Sequence, residues 1–92
     1  MSKELSMARG QTLNVIVRAR IKDYYKGEAA ALSSFNKKGA FDILPRHAHF
    51  ISLISGGITI HKSNGLEERI NFSNAVLKVK DDFAEVYIGL DT

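Results

Sequence analysis

From Thr12 onward, apolar residues recur at every second position. Leu13, Val15 and Val17 fall on one side of an extended segment, and Asn14, Arg18 and Arg20 fall mostly on the other. A period of two is the signature of a half-buried strand, because successive side chains point to opposite faces. Ile16 breaks the alternation, so part of the outer face is expected to be covered as well. Asp23 and Gly27 bracket Tyr24-Tyr25, which reads as a turn flanked by strand-forming aromatics. Glu28 to Phe35 leaves only eight residues between Gly27 and the turn sequence Asn36-Lys37-Lys38-Gly39. An isolated helix of that length is marginal in water, so a strand is expected despite three alanines.

The segment Gly39 to Ile54 holds the only proline and two of the three histidines. Pro45 fixes its own φ, lacks an amide donor and drives Leu44 towards extended geometry. The segment therefore reads as strand, rigid corner, then a second apolar strand. Gly56-Gly57 precedes a further strand at Ile58-Thr59-Ile60-His61, and Asn64-Gly65 separates that strand from Glu68 to Phe72. Asn-Gly favours a type I′ hairpin turn, whose two central residues both take positive φ. Asn74 leads into Val76 to Lys80, and Asp81-Asp82 turns the chain into Phe83 to Ile88. Strands recurring at about 8–12 residues, with polar turns between them, predict an all-β fold, a small antiparallel β-sandwich. Residues 1–10 read as a flexible N-terminal lead-in and residues 11–92 as one sandwich domain.

Ninety-two residues suit a single domain with a modest core. A hydrophobic content of 45% with 25% charged residues fits a folded globular chain rather than a disordered one. No cysteine is present, which excludes disulfides, thiolate chemistry and cysteine metal sites. No apolar run reaches bilayer-spanning length, and residues 1–9 lack the apolar h-region of a secretory signal. The net charge of +3 is mild, and its basic residues are interrupted by Glu67-Glu68 and Asp81-Asp82. That dispersal describes a mixed solvated surface better than a nucleic-acid footprint.

Few residues invite chemistry. His47 and His49 share one side of an extended segment and could begin a metal site. Phe50 to Ile54 supplies no nearby acidic ligand, and zinc wants four ligands, so no metal is expected. His47 is expected to hydrogen-bond backbone at the corner and His49 to lie near the surface. None of the serines sits in a Gly-X-Ser-X-Gly elbow, and no phosphate-cradling Walker motif exists. No cofactor and no catalytic residue are expected. Aliphatic residues fall on both faces of Val76–Val79 and Ala84–Ile88, more than a sheet with one solvated face requires.

The order of these parts resembles the β-sandwich domain of the epsilon subunit of rotary ATP synthases, called delta in mitochondria. An aromatic-X-Gly-Glu element is matched by Tyr25-Lys26-Gly27-Glu28. A Phe/Leu-Gly-Ile-Leu-Pro-Gly-His-Ala stretch is matched by Phe41-Asp42-Ile43-Leu44-Pro45-Arg46-His47-Ala48. A strand, glycine turn and basic strand follow at Phe50 to Lys62, and a last hairpin at Ala75 to Leu90. Asp42 and Arg46 stand where the family often has glycine, and Asn74-Ala75 replaces a Gly-Gly. The sequence ends at Thr92, short of the helical hairpin that family members usually carry, so that hairpin's properties are not transferred.

The resemblance implies a non-catalytic rotor-stalk component that couples the gamma subunit to the membrane c-ring, peripheral to the membrane on its cytoplasmic side. On this reading the corner, with Ala40, Asp42, Pro45, Arg46 and His47, faces the ring. The sheet surface around Val76, Leu77, Val86 and Ile88 meets gamma. The alternative is a small basic β-barrel that binds RNA or another ligand through Arg18, Arg20 and Lys22, with Tyr24 and Tyr25 as stacking platforms. Such binding would depend steeply on salt, whereas docking through apolar surface would not.

Overall fold

A computed structural model describes residues 12–46 and 49–89. The lead-in expected for residues 1–10 and the role of His47 lie outside the described residues. Eight strands and no helix occur among the described residues. They are β1 (Leu13–Arg18), β2 (Asp23–Ala29), β3 (Ala31–Asn36), β4 (Gly39–Ile43), β5 (Phe50–His61), β6 (Glu67–Ile70), β7 (Asn74–Lys80) and β8 (Phe83–Ile88). They form one sheet in the order β2-β1-β8-β7-β5-β3-β4, with β6 added to β5. Neighbours run antiparallel except β1 and β8, so the expected antiparallel sandwich is observed with one parallel junction.

The sheet curls because β5 belongs to two lobes. Residues 50–55 of β5 pair with β7, whereas Ile58–His61 pair with β6. On its opposite edge β5 meets β3, from Phe35↔Ser55 to Ala31↔His61. The change of direction falls at Gly56 and Gly57, with φ of 77° and 100°. Strands that pass from one lobe to the other do so through such bulges or bends. The second crossing is at Ala30, between β2 and β3, where the Ala30 amide donates to the His61 carbonyl at 2.7 Å. Inward residues of both lobes meet in one cluster that includes Leu13, Val15, Leu32, Ile43, Ile58, Ile60 and Leu77.

Three side chains or gaps lock the corner in β5. Ser34, the only buried polar residue among those described, donates from Oγ to the Gly57 carbonyl at 2.8 Å. Arg69 reaches across from β6, donating to the Gly56 carbonyl and to Thr59 Oγ1 at 2.9 Å. Its Nε donates to Asn71 Oδ1 at 3.1 Å, which fixes the guanidinium plane. Gly57 has no room for a side chain, since a Cβ there would lie 2.7 Å from the Ile70 carbonyl oxygen.

Local expectations are revised in four places. Asp23 to Gly27 is strand, not turn, and the reversal lies before it, where the Ala19 amide donates to the Lys22 carbonyl at 2.8 Å. Glu28 to Phe35 is split by the bend at Ala30 into the ends of two strands. Gly56-Gly57 does not separate two strands but bends one. In the β5–β6 hairpin only Gly65 has positive φ (91°), and its amide donates to the Lys62 carbonyl at 3.0 Å. That pattern is a type I turn closed by a left-handed glycine rather than type I′. Both central residues are left-handed instead at Asp81 (52°) and Asp82 (62°), between β7 and β8.

Replacing Gly57 by alanine combines backbone strain with a clash against backbone, which cannot swing away. We expect G57A to cost about 3 kcal/mol or more, read as a lowered urea midpoint. Gly65→Ala, in open space at a turn, should cost only about 1 kcal/mol.

Candidate functional site

Pro45 and Arg46 turn the chain just after β4. Arg46, following the proline, takes φ of 69°, the left-handed conformation that glycine adopts freely. Proline followed by a positive-φ residue is the arrangement of a type II turn. Its amide is capped by Asp82 Oδ1 at 2.5 Å. The Asp82 carbonyl in turn accepts from the Asn14 amide at 2.8 Å. One aspartate therefore joins the corner, the β7–β8 turn and the start of β1. Nothing in the sequence around the corner points to this partner, which lies 36 positions away.

Ala40 and Asp42 lie on β4, facing away from the core, since Ile43 and Phe41 take the inward positions. Asp42 is committed to a polar chain that crosses the second lobe. Ser33 Oγ donates to Asp42 Oδ1 at 2.6 Å and lies 2.8 Å from His61 Nε2. His61 Nδ1 is 3.0 Å from Glu67 Oε2. Serine, histidine and carboxylate at these separations have the spacing of an acyl-transfer triad. The proton arrangement differs, however. Ser33 Oγ has one proton to give, and the Asp42 carboxylate competes with His61 for it. Ser33 also sits mid-strand, paired to both Asp42 and Thr59, which leaves no free cradle of amides for an oxyanion. The chain is a strap tying β6, β5, β3 and β4. Among the described residues no three His, Asp or Glu side chains converge as metal ligands. His49 is exposed, as expected.

The four residues expected to meet gamma divide between two faces. Leu77 and Val86 are 0% exposed and belong to the core, which corrects their assignment to a surface. Alternation puts Ala75, Leu77 and Val79 inside and leaves Val76 outside at 38% exposure. Ile88 is half-buried against the core edge. Val76 has outward neighbours that sequence reasoning missed, Leu53 on β5 and Tyr87 on β8, both directly opposite it in register. Leu53 and Tyr87 are 72% and 44% exposed, and Ile51, one pleat along, is 70% exposed. These residues form an apolar row on the outer face of the first lobe. Arg18 closes the row, with its guanidinium 5.9 Å from the Tyr87 ring centre.

The residues of the RNA-binding alternative disperse. Tyr24 points outward with Lys22 over its ring at 4.8 Å, whereas Tyr25 packs against the core and donates from its hydroxyl to the Glu28 carbonyl. Arg20 and Tyr24 share an open depression of about 460 Å³ that neither Arg18 nor Tyr25 lines. The two tyrosines therefore do not make one stacking platform.

No family model matches the chain. The ATP synthase epsilon chain of Psychrobacter arcticus is 38% identical to it over 72 residues, covering 77% of this chain and 51% of that relative. The chain belongs to the ATP synthase epsilon family. It spans about half the length of that curated relative. Its fold is shared with a chain of the Euglena gracilis mitochondrial ATP synthase OSCP/F1/c-ring structure, at a TM-score of 0.78 and 11% identity over 85% of this chain and 51% of that one. A chain of the Tetrahymena thermophila mitochondrial ATP synthase central stalk/c-ring structure matches at a TM-score of 0.69 and 12% identity, over 85% and 63%. The epsilon-type β-sandwich expected from the sequence is thus the fold observed.

In this epsilon-family domain, the left-handed Arg46 carries a conformational cost that glycine would not. Arg46→Gly should raise stability by about 1 kcal/mol, with the Asp82 bond retained because it uses the backbone amide. Asp82→Ala should lower stability by about 1–2 kcal/mol through loss of that charge-assisted bond. Urea unfolding of both variants checks the pair.

Proposed function

We propose that this domain is a non-catalytic rotor component of the proton-translocating ATP synthase, joining the gamma subunit to the c-ring. The supporting observation is the exposed row Leu53–Val76–Tyr87 in a domain of epsilon-family sequence. The inner face of that lobe is already filled by core residues, so the outer apolar row gains nothing from folding and most from a partner. We assign gamma to this face, with Val76 at its centre and Ile88 at its margin. The ring is assigned to the corner, with Ala40, Asp42, Pro45, Arg46 and His47. There the cap from Asp82 and the strap through Ser33 would hold the contact in one shape, which is what transmission of torque demands.

No helix among the described residues is long and apolar enough to cross a membrane. Attachment to the cytoplasmic side of the membrane would then come through the complex. The task is mechanical and asks no residue to perform chemistry, no metal and no cofactor.

The test is reconstitution with the cognate gamma subunit and c-ring. Val76→Glu should weaken gamma binding by tenfold or more while leaving the thermal transition nearly unchanged, because the site is outward. Leu77→Asp should instead unfold the domain, since it buries a carboxylate in the core. Undiminished gamma binding by folded Val76→Glu would overturn this assignment.

A further inference from the structure

Beside the apolar row lies a groove whose chemistry the rotor reading leaves unused. The β3–β4 hairpin turns at Lys37 and Lys38 just where β5 continues past it. The last described pairing between β3 and β5 is Phe35↔Ser55. Between the hairpin tip and β5 a groove of about 420 Å³ opens, lined by Asn36, Lys37 and Lys38 on one wall and by Ile51, Ser52 and Leu53 on the other. Asn36 Nδ2 donates to Ser52 Oγ at 3.1 Å and fixes the walls relative to each other. The groove runs directly into the outer face, because Leu53 stands opposite Val76 and Ile51 opposite Lys78.

The charged side chains that line this groove are both lysines. Lys37 and Lys38 flank Ile51 and Leu53 on the hairpin side, and Lys78 flanks them on the β7 side. None of these three lysines is among the ion pairs of the described residues, which use Arg18, His61 and Lys62. The nearest acid in register, Glu85 opposite Lys78, accepts from the Tyr87 hydroxyl at 3.2 Å. An apolar floor two residues wide, with ammonium groups on both sides, complements a segment that has an apolar stripe and carboxylates along its flanks. The concavity suits such a segment better than a flat bilayer surface.

We propose that this groove receives an acidic amphipathic segment of the protein docked on the outer face, seated on Ile51 and Leu53 and held by Lys37, Lys38 and Lys78. The inference rests on the reading that gamma occupies that face, and it names the chemistry of one part of the contact. Rim charges of this kind add rate and register more than raw affinity, and their effect fades as salt rises.

The experiment measures binding of the full chain to the cognate gamma subunit at low and at high salt. It compares the wild type, the double variant Lys37→Glu/Lys38→Glu, and Val76→Glu. The double variant alters two exposed turn positions and should melt as the wild type does. It is expected to bind about tenfold more weakly at low salt, with the difference largely gone at 0.5 M salt, where the screening length is about 4–5 Å. Unchanged or tighter binding by the double variant, alongside weakened binding by Val76→Glu, overturns the acidic segment and leaves the gamma face standing. Wild-type binding by Val76→Glu, or no complex with the folded wild type, overturns the gamma face and this inference with it.

Discussion

The bend in β5 is the constraint on which the rest of this domain depends. Two consecutive left-handed residues rotate one strand so that its first half serves the lobe containing β7 and its second half the lobe containing β6 and β3. Without that rotation the two apolar faces would lie on one open sheet, each exposed to water. With it they face one another and share a core. The bend itself is expensive in backbone polar groups, since carbonyls leave the ladder where the strand turns. Ser34 satisfies the Gly57 carbonyl from inside and Arg69 the Gly56 carbonyl from outside. Both donors sit on strands that the bend brings near, so the corner and its supports are mutually dependent.

The same logic governs the second closed point. Asp82 occupies a left-handed position in a tight turn, which costs an L-residue free energy, and uses its carboxylate to cap the backbone of a loop distant in sequence. Glycine would sit there with less strain but could not hold the corner. Arg46 shows the opposite balance. Its side chain takes no part in the cap, so the strained backbone there has no evident structural return in the free domain.

Much of this was legible in the chain. Alternation at Leu13–Val17 located β1, the Asp81-Asp82 turn between two apolar segments located β7 and β8, and Pro45 marked the corner between β4 and β5. The family resemblance, through Tyr25-Lys26-Gly27-Glu28 and the segment around Pro45, identified the sandwich. What remained hidden depends on partners distant in sequence. Gly56-Gly57 has the composition of a break, and only Arg69 and Ser34, supplied by other strands, make it a bend within one strand. Val76, Leu77, Val86 and Ile88 are all aliphatic, and composition cannot say which of them face in. Register against β5 and β1 decides it, placing Leu77 and Val86 in the core. The outer row was missed because Ile51 and Leu53 read only as part of one apolar strand, with no sign of which face each takes. The strap from Asp42 to Glu67 draws on four strands and has no local signature at all.

The parallel pairing of β1 with β8 has a temporal side. The first of the described strands to leave the ribosome is hydrogen-bonded to the last of them. Until Phe83 to Ile88 has emerged, β1 can form a hairpin with β2 but has no neighbour on its other edge. Loop closure over nearly the whole chain must precede that pairing, and such long-range topology folds slowly. A nascent chain halted before β8 would present Val15 and Val17 with an open backbone ladder beside them, a surface prone to pair with any passing strand. Assembly of this domain therefore waits for β8 to emerge, and the interval before that is when the chain most needs protection from its neighbours.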